Sequence, residues 1–104
     1  MGYNETIIEI RQTEQFIKWF VKLKDKRARA KIAIRIRRVS LGNLGDVKSV
    51  GGGISELRID YGPGYRVYFT QRSRQLIILL GGGDKTTQAS DIKKAKQLAL
   101  EIEV

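Results

Sequence analysis

Two segments of the chain carry the side chains best suited to chemistry on a phosphate. Along residues 54–61 and 65–70, apolar and polar residues alternate, which predicts a hairpin with one apolar face and one polar face. We expect the polar face to be open to solvent and to display Glu56, Arg58, Asp60, Arg66 and Tyr68. Two guanidinium groups on one open face, with a tyrosine in reach, can stabilise charge that builds on a phosphate.

The same residues have a simpler interpretation. Glu56 and Asp60 could pair with Arg58 and Arg66 as ordinary cross-strand ion pairs, and the spacing does not separate the two possibilities. The absence of His and Cys from the sequence excludes a nucleophile–base pair of the protease type. RNA cleavage suits the residues that remain, because the 2′-hydroxyl of the substrate is the nucleophile and the protein supplies mainly cations.

A further cation, Lys85, follows the glycine run 81–83. Such a run exposes backbone N–H groups, but it does not match the GxxxxGK(S/T) spacing of a P-loop. We expect a turn that delivers Lys85 at a strand end near the polar face. A plain turn with a solvated lysine is the alternative.

The polarity of the hairpin residues also predicts a strand register. If Gly62–Pro63–Gly64 is the loop, residues of like polarity face each other throughout. The predicted pairs are Tyr61 with Tyr65, Asp60 with Arg66, Ile59 with Val67, Arg58 with Tyr68, and Leu57 with Phe69.

Helices and further strands must hold this hairpin in place. Thr13 can cap a first helix, and an amphipathic second helix, joined to it near 24–26, ends at 41–43. The apolar run within 75–80 predicts a strand buried on both faces, and 6–10 can supply an N-terminal strand. Ser90 is the predicted cap of a last helix. We therefore predict an α+β fold in which an N-terminal strand and a helical hairpin pack on an antiparallel β-meander, followed by a C-terminal helix.

The charge of the chain favours a partner that carries phosphates. Its 104 residues include 20 Lys and Arg against 11 Asp and Glu, a net charge of +9. The stretch 22–38 is especially basic, although a solvated helix face would look the same. The length predicts one domain over 1–104. The sequence has no apolar run of membrane-spanning length and no secretory signal pattern at its start, so we expect a cytoplasmic protein.

Several motifs in one order make nearly the whole chain similar to the RelE/ParE toxin superfamily, and within it to the HigB-like group of addiction module killer proteins. The order of helices and strands agrees with that resemblance. The motifs that carry it are 16–20 (FIKWF), 23–25 (LKD), the helix 30–39, 41–46 (LGNLGD), 54–60 (ISELRID), 62–68 (GPGYRVY) and 82–85 (GGDK), with Gln88, Asp91, Ile92, Ala95 and Lys96.

The resemblance implies an endoribonuclease that cuts mRNA in the ribosomal A site and inhibits translation. By likeness Arg66 would stabilise the scissile phosphate, Arg58 would assist from the adjacent strand, and Lys85 would transfer a proton or stabilise charge. Tyr68 and Gln88 are weaker candidates for positioning the substrate, and Lys48 is a further candidate RNA contact.

The resemblance also implies a partner and an alternative function. Toxins of this group are neutralised by a cognate antitoxin, usually a helix-turn-helix protein, through which the complex would bind operator DNA. An acidic or apolar antitoxin segment would suit the basic surface. The absence of cofactor motifs favours metal-independent chemistry, although Glu56, Asp60 and Asp84 leave a metal open. The alternative is a non-enzymatic inhibitor of DNA gyrase, like the ParE branch of the superfamily.

Overall fold

The computed structural model describes residues 7–102 of the chain. Its helices and strands form an α+β fold, as the sequence predicts. In chain order they are β1 (Glu9–Gln12), α1 (Glu14–Lys22), α2 (Lys26–Ser40), β2 (Val47–Gly51), β3 (Ile54–Ile59), β4 (Tyr65–Ser73), β5 (Leu76–Gly83) and α3 (Gln88–Glu101), with a short 3-10 turn at Lys85–Thr87 before α3.

The five strands form one mixed sheet in the order β1-β5-β4-β3-β2. Strands β2 to β5 are antiparallel neighbours and make up the predicted meander. Strand β1 pairs in parallel with β5, so the sheet is not wholly antiparallel. The N-terminal strand also begins later than predicted, at Glu9, while Thr6 lies outside the described residues. Strand β5 is buried on both faces over residues 77–80, which confirms that prediction.

Side-chain caps define the beginnings of α1 and α2. The Thr13 hydroxyl accepts a hydrogen bond from the Phe16 backbone N–H, as predicted. A carboxylate oxygen of Asp25 accepts from the backbone N–H groups of Arg27 and Ala28 at the start of α2. Because each cap satisfies otherwise unpaired backbone groups, the two helices begin at fixed residues, and they are joined over 23–25, close to the predicted 24–26.

The start of α3 differs from its prediction. The helix begins at Gln88 and not after a Ser90 cap. Asp84 accepts hydrogen bonds from the backbone N–H and the hydroxyl of Thr86, which organises the preceding 3-10 turn so that it runs directly into the helix. Ser90 therefore lies in the first turn, where its hydroxyl donates to the Thr87 carbonyl.

The β3–β4 hairpin has the predicted faces, but its predicted register is wrong by two residues. Arg58 lies opposite Arg66, and Ile59 lies opposite Tyr65. The physical reason is the position of Tyr61, which leaves the strand so that its hydroxyl donates to a carboxylate oxygen of Asp25 at 2.9 Å. The connection is therefore longer than the predicted loop, and a shift of two residues leaves each side chain on its predicted face.

Helices cover both faces of the sheet. Helices α1 and α2 pack on the apolar face, where the fully buried core includes Phe16, Ile32, Leu57, Val67, Phe69, Ile77 and Leu79. Helix α3 packs on the opposite face, where Ala95 and neighbouring apolar residues cover Ile54, Tyr68, Ile78 and Leu80. The second face is therefore not the open surface that the sequence predicted, because the amphipathic C-terminal helix lies across much of it.

Candidate functional site

An open cleft lies at the end of the β3–β4 hairpin, beside the turn that precedes α3. Its volume is about 260 Å³. The residues that line it are Asp46, Arg58, Ile59, Asp60, Gly62, Gly64, Arg66 and Lys85. Arg58, Arg66 and Lys85, the three cations that the resemblance implies, therefore line one cleft. The sequence had predicted a broad open face at this position.

Arg66 and Lys85 meet over Gly64. A Cβ atom at Gly64 would lie 2.9 Å from Lys85 Cε and 3.1 Å from Arg66 Nη1. Gly64 also has a φ of +79°, a conformation that side chains other than glycine rarely adopt. The Lys85 backbone N–H donates to the Pro63 carbonyl at 3.5 Å, which fixes the 3-10 turn against the hairpin loop. Gly64 thus allows two cations from distant segments to come close together.

Arg58 is held by Asp46, which also lines the cleft. Its Nη2 lies 3.1 Å from Asp46 Oδ1, and the backbone N–H of Arg58 donates to the Asp46 carbonyl. The guanidinium of Arg35, in α2, donates to the Arg58 carbonyl and to the carbonyls of Leu44 and Asp46. One cation of the basic stretch 22–38 therefore has a structural role, because it fastens the loop before β2 to the hairpin.

Arg66 is a largely buried cation, only 8% exposed. Its Nε lies 3.2 Å from Oε1 of Glu56, and its Nη1 donates to the Gly64 carbonyl at 2.6 Å. The cross-strand ion pair that the sequence left open thus exists between Glu56 and Arg66. Asp60 lines the cleft instead, and Arg58 takes Asp46 as its partner.

Tyr68 and Gln88 lie behind the cleft and contact Glu56. The Tyr68 hydroxyl is 3.4 Å from Glu56 Oε1, and Gln88 Nε2 donates to the same oxygen at 2.7 Å. Burial, followed by the charge of Glu56, raises the pKa of Tyr68 well above its usual range. Tyr68 therefore stays protonated and serves as a hydrogen-bond donor. Neither residue lines the cleft, so any effect on a substrate would pass through Glu56.

Lys48 lies outside the cleft. It is exposed on edge strand β2, directly opposite Glu56 in the neighbouring strand. Opposite residues of paired strands point to the same face, so Lys48 extends the positive charge of the α3 side beyond the cleft. Its proposed contact with RNA stays a prediction.

Comparison with known proteins identifies the family. Residues 18–102 match the family described as Phage derived protein Gp49-like (DUF891). The chain belongs to this phage-derived Gp49-like family. It is a family of RelE/HigB-like toxins, so the resemblance to this kind of toxin is confirmed, while membership of the HigB-like group of addiction module killer proteins stays a prediction.

Two individual proteins illustrate the relationship. An uncharacterised protein of Haemophilus influenzae is 57% identical to this Gp49-like chain over 95 residues, which are 91% of this chain and 96% of that protein. The free state of a double arginine-to-alanine mutant of the E. coli toxin RelE has a similar structure, with a TM-score of 0.71. The similarity covers 89% of this chain and 97% of the RelE chain at 14% sequence identity, and it shows that the two share a fold.

Two further observations concern the residues that the structure describes. Within 7–102, the Gp49-like chain has no helix long and apolar enough to cross a membrane. The same residues contain no group of three or more acidic, His or Cys side chains that could hold a metal ion. Glu56, Asp60 and Asp84 therefore do not gather into a ligand set of that size.

Sequence reasoning missed the roles of Glu56 and Gly64. Glu56 was expected on a solvated face, yet it is fully buried and contacts three side chains of the site. For Gly64 the sequence predicts only a place in a loop. Polarity alternation does not reveal which polar residues a distant helix covers, and the approach of Lys85 to Gly64 depends on the turn that follows β5.

Proposed function

We propose that this Gp49-like chain is the toxin of a type II toxin–antitoxin module and acts as an mRNA endoribonuclease, in a reaction that depends on the ribosome. Its family of RelE/HigB-like toxins supports the toxin assignment. The finer proposal, cleavage of RNA, rests on the cleft. Cytoplasmic action follows from that proposal, because the substrate is ribosome-bound mRNA.

The observation that carries the proposal is the presence of Arg58, Arg66 and Lys85 in one cleft of about 260 Å³. Arg66 and Lys85 lie on the same side, above Gly64, so that their positive charges reinforce each other. A phosphodiester that entered would meet preorganised cations that need little rearrangement during the reaction. Arg58, paired with Asp46, would bind the next part of the RNA backbone.

The chemistry needs few groups from the protein. The 2′-hydroxyl of the RNA loses its proton to water as its oxygen attacks the adjacent phosphorus, the P–O5′ bond breaks as the new P–O2′ bond forms, and the leaving O5′ takes up a proton. The products are a 2′,3′-cyclic phosphate and a 5′-hydroxyl end. In this scheme Arg66 stabilises negative charge on the non-bridging phosphate oxygens, and the Lys85 ammonium stabilises or protonates the leaving O5′.

The proposed partner is a cognate helix-turn-helix antitoxin, consistent with membership of a toxin family. Acidic or apolar residues of such a partner would complement a chain with a net charge of +9. In this proposal operator DNA is bound through the antitoxin complex and not by the toxin alone. Co-expression with the adjacent gene product should restore growth if that product is the antitoxin.

The test maps new mRNA 5′ ends shortly after the chain is induced in cells. Two variants probe the cleft, Arg66→Lys and Lys85→Ala, at protein levels matched to the native chain. Lys18→Ala, an exposed lysine of α1 on the other side of the sheet, is the matched control. We expect new ends within translated frames for the native chain and for the control, and strong loss of these ends in both cleft variants.

The outcomes separate the proposed reaction from its alternative. New ends that persist in both cleft variants would remove the cleft from the reaction. Growth arrest without new ends would overturn ribonuclease activity altogether. If DNA replication then stops before translation, inhibition of gyrase becomes the better explanation.

A further inference from the structure

We propose that Glu56 is a positioning residue that aims the Arg66 guanidinium into the cleft, with Gln88 of α3 holding Glu56 in place. This inference rests on the proposed ribonuclease function. It adds a role for two residues that do not touch the substrate. It also connects the packing of the C-terminal helix with the geometry of the cleft.

The contacts of the guanidinium define its orientation. Nε lies 3.2 Å from Glu56 Oε1, and Nη1 donates to the Gly64 carbonyl at 2.6 Å. The first contact is an ion pair without hydrogen-bond geometry, because Arg66 Nε has no hydrogen-bond partner among the described residues, and the second is a hydrogen bond. Together they place two of the three nitrogen atoms beside fixed partners. Because a guanidinium is planar, they also fix the direction of the third nitrogen, Nη2, which neither contact uses.

A carboxylate is an expensive group to bury at this position. Glu56 has no exposed surface, and its Oε2 has no hydrogen-bond partner among the described residues. Removing an ion from water is unfavourable, and a buried ion pair often adds no more stability than apolar residues of similar volume. Stability alone is therefore a poor explanation for this pair, whereas a fixed guanidinium direction is useful in a site that binds phosphate.

Helix α3 takes part through its first residue. Gln88 Nε2 donates to Glu56 Oε1 at 2.7 Å, and the Tyr68 hydroxyl lies 3.4 Å from the same oxygen. Glu56 Oε1 thus lies near three donors that come from β4 and α3. When α3 packs on the sheet, its N-terminus brings Gln88 to Glu56, and Glu56 in turn faces Arg66.

The test uses the full chain and a defined mRNA on programmed ribosomes. Glu56→Gln keeps the size of the side chain and removes its charge, so the packing around residue 56 is preserved. We expect kcat to fall about tenfold or more, because small misplacement of a catalytic group is costly. Binding of the same mRNA with a 2′-deoxy residue at the cut site should be unchanged or tighter, because a negative charge near the cleft has been removed.

Two matched controls separate positioning from general damage. Glu14→Gln, at an exposed residue of α1, is the control for Glu56→Gln. Gln97→Ala, at an exposed residue of α3, is the control for Gln88→Ala. Both controls should retain native kcat, and Gln88→Ala should lose about as much as Glu56→Gln or somewhat less. The proposal would be overturned if kcat of Glu56→Gln stayed within twofold of native, whether KM was unchanged or raised.

A second readout does not depend on activity. Solvent exchange of the Arg66 Nε–H, followed by ¹⁵N NMR, should be slow in the native chain and at least tenfold faster in Glu56→Gln. Equal exchange in the two proteins would show that Glu56 does not hold Arg66. If the native chain cleaves no RNA, the proposed function fails, while this comparison still decides whether Glu56 orients the guanidinium.

Discussion

The two faces of the sheet are both covered by helices, but they bury very different groups. Beneath α1 and α2 the buried side chains of the core are apolar, among them Leu57, Val67 and Leu79. Beneath α3 the buried set includes the Glu56–Arg66 ion pair and Tyr68 as well as aliphatic residues. The same strands supply both sets, because side chains alternate between faces.

The contrast assigns different tasks to the two faces. Apolar burial stabilises the fold roughly in proportion to the area removed from water. The ion pair contributes little by that measure and instead holds a cation in one orientation beside the open cleft. We infer that the α1–α2 face carries most of the stability and that the α3 face carries the chemistry.

Neighbouring residues of β4 test this division directly, and here we expect the largest effect. Arg66→Lys keeps the charge beside Glu56 but loses the planar fork, so RNA cleavage should fall about 100-fold or more. Val67→Ala, on the opposite face, removes fully buried methyl groups and should lower the free energy of unfolding by about 1–3 kcal/mol. Cleavage assays and urea unfolding of both variants measure the two effects.

The division fails if the effects are exchanged. Val67→Ala should retain native kcat once the measurement is corrected for the folded fraction. Arg66→Lys should unfold at a urea concentration close to that of the native chain. An Arg66→Lys variant that is fully active would remove guanidinium geometry from the mechanism.

Two glycines offer a matched comparison with a smaller expected effect. Gly64 and Gly53 have φ values of +79° and +77°, but a Cβ at Gly53 would have nothing within 4 Å, whereas one at Gly64 would press on Lys85 and Arg66. Alanine at either position should cost about 1–2 kcal/mol of stability from backbone strain. Only Gly64→Ala should lower the rate of RNA cleavage, by about tenfold, because the added methyl group would displace Lys85 and Arg66.

The measurement combines urea unfolding with cleavage rates for both alanine variants. Equal loss of activity in the two would mean that backbone strain, and not contact with the cations, is responsible. Equal activity in the two would mean that the cations over Gly64 adjust freely, so that their close approach has no role in the reaction.

Local sequence patterns predicted much of the fold. Alternation in 54–61 and 65–70 gave the correct faces, and the Thr13 cap follows from hydroxyl chemistry. The predicted register was wrong because the Tyr61 hydroxyl donates to Asp25, the N-cap of a distant helix, and the polarity of the strand residues does not indicate such a contact. The Ser90 cap was wrong for a related reason, since the turn organised by Asp84 already leads into the helix.

Of the candidate site, only the three cationic residues could be predicted from the sequence. Arg58, Arg66 and Lys85 were identified from residue type and resemblance, and the structure places them around one cleft. The burial of Tyr68 and Glu56 was not foreseen, because it depends on how α3 crosses the sheet. Alternation of polar and apolar residues indicates that one face of a sheet is polar, but it does not indicate that this face is exposed to solvent.

Salt dependence gives a further, smaller distinction between the faces. If Lys85 contacts one phosphate of single-stranded RNA, Lys85→Ala should reduce the slope of log K against log salt by about 0.7. Lys18→Ala, in α1 and paired with Glu14, should leave the slope unchanged. Fluorescence anisotropy of a short labelled RNA across a salt series measures both slopes. An equal reduction in the two variants would indicate diffuse attraction by the basic surface.

The smallest effect is expected at Asp25, which caps α2 and joins it to the hairpin loop. Hydrogen bonds from the Ala28 backbone N–H, then from the Tyr61 hydroxyl, lower the pKa of Asp25 below its ordinary value. A carboxyl whose pKa is lower in the folded state stabilises the protein above its unfolded pKa of about 4, and this contribution disappears as the pH falls through the folded pKa.

Asp25→Asn should therefore unfold at a slightly lower urea concentration than the native chain at pH 6. The two midpoints should converge toward pH 2, because native Asp25 is then protonated as well. Because this carboxyl is exposed, the difference should be small and should shrink with added salt. A gap that stays constant from pH 6 to pH 2 would mean that the charge of Asp25 does not contribute, and that the loss of the second carboxylate oxygen, which accepts from the Tyr61 hydroxyl, accounts for the difference.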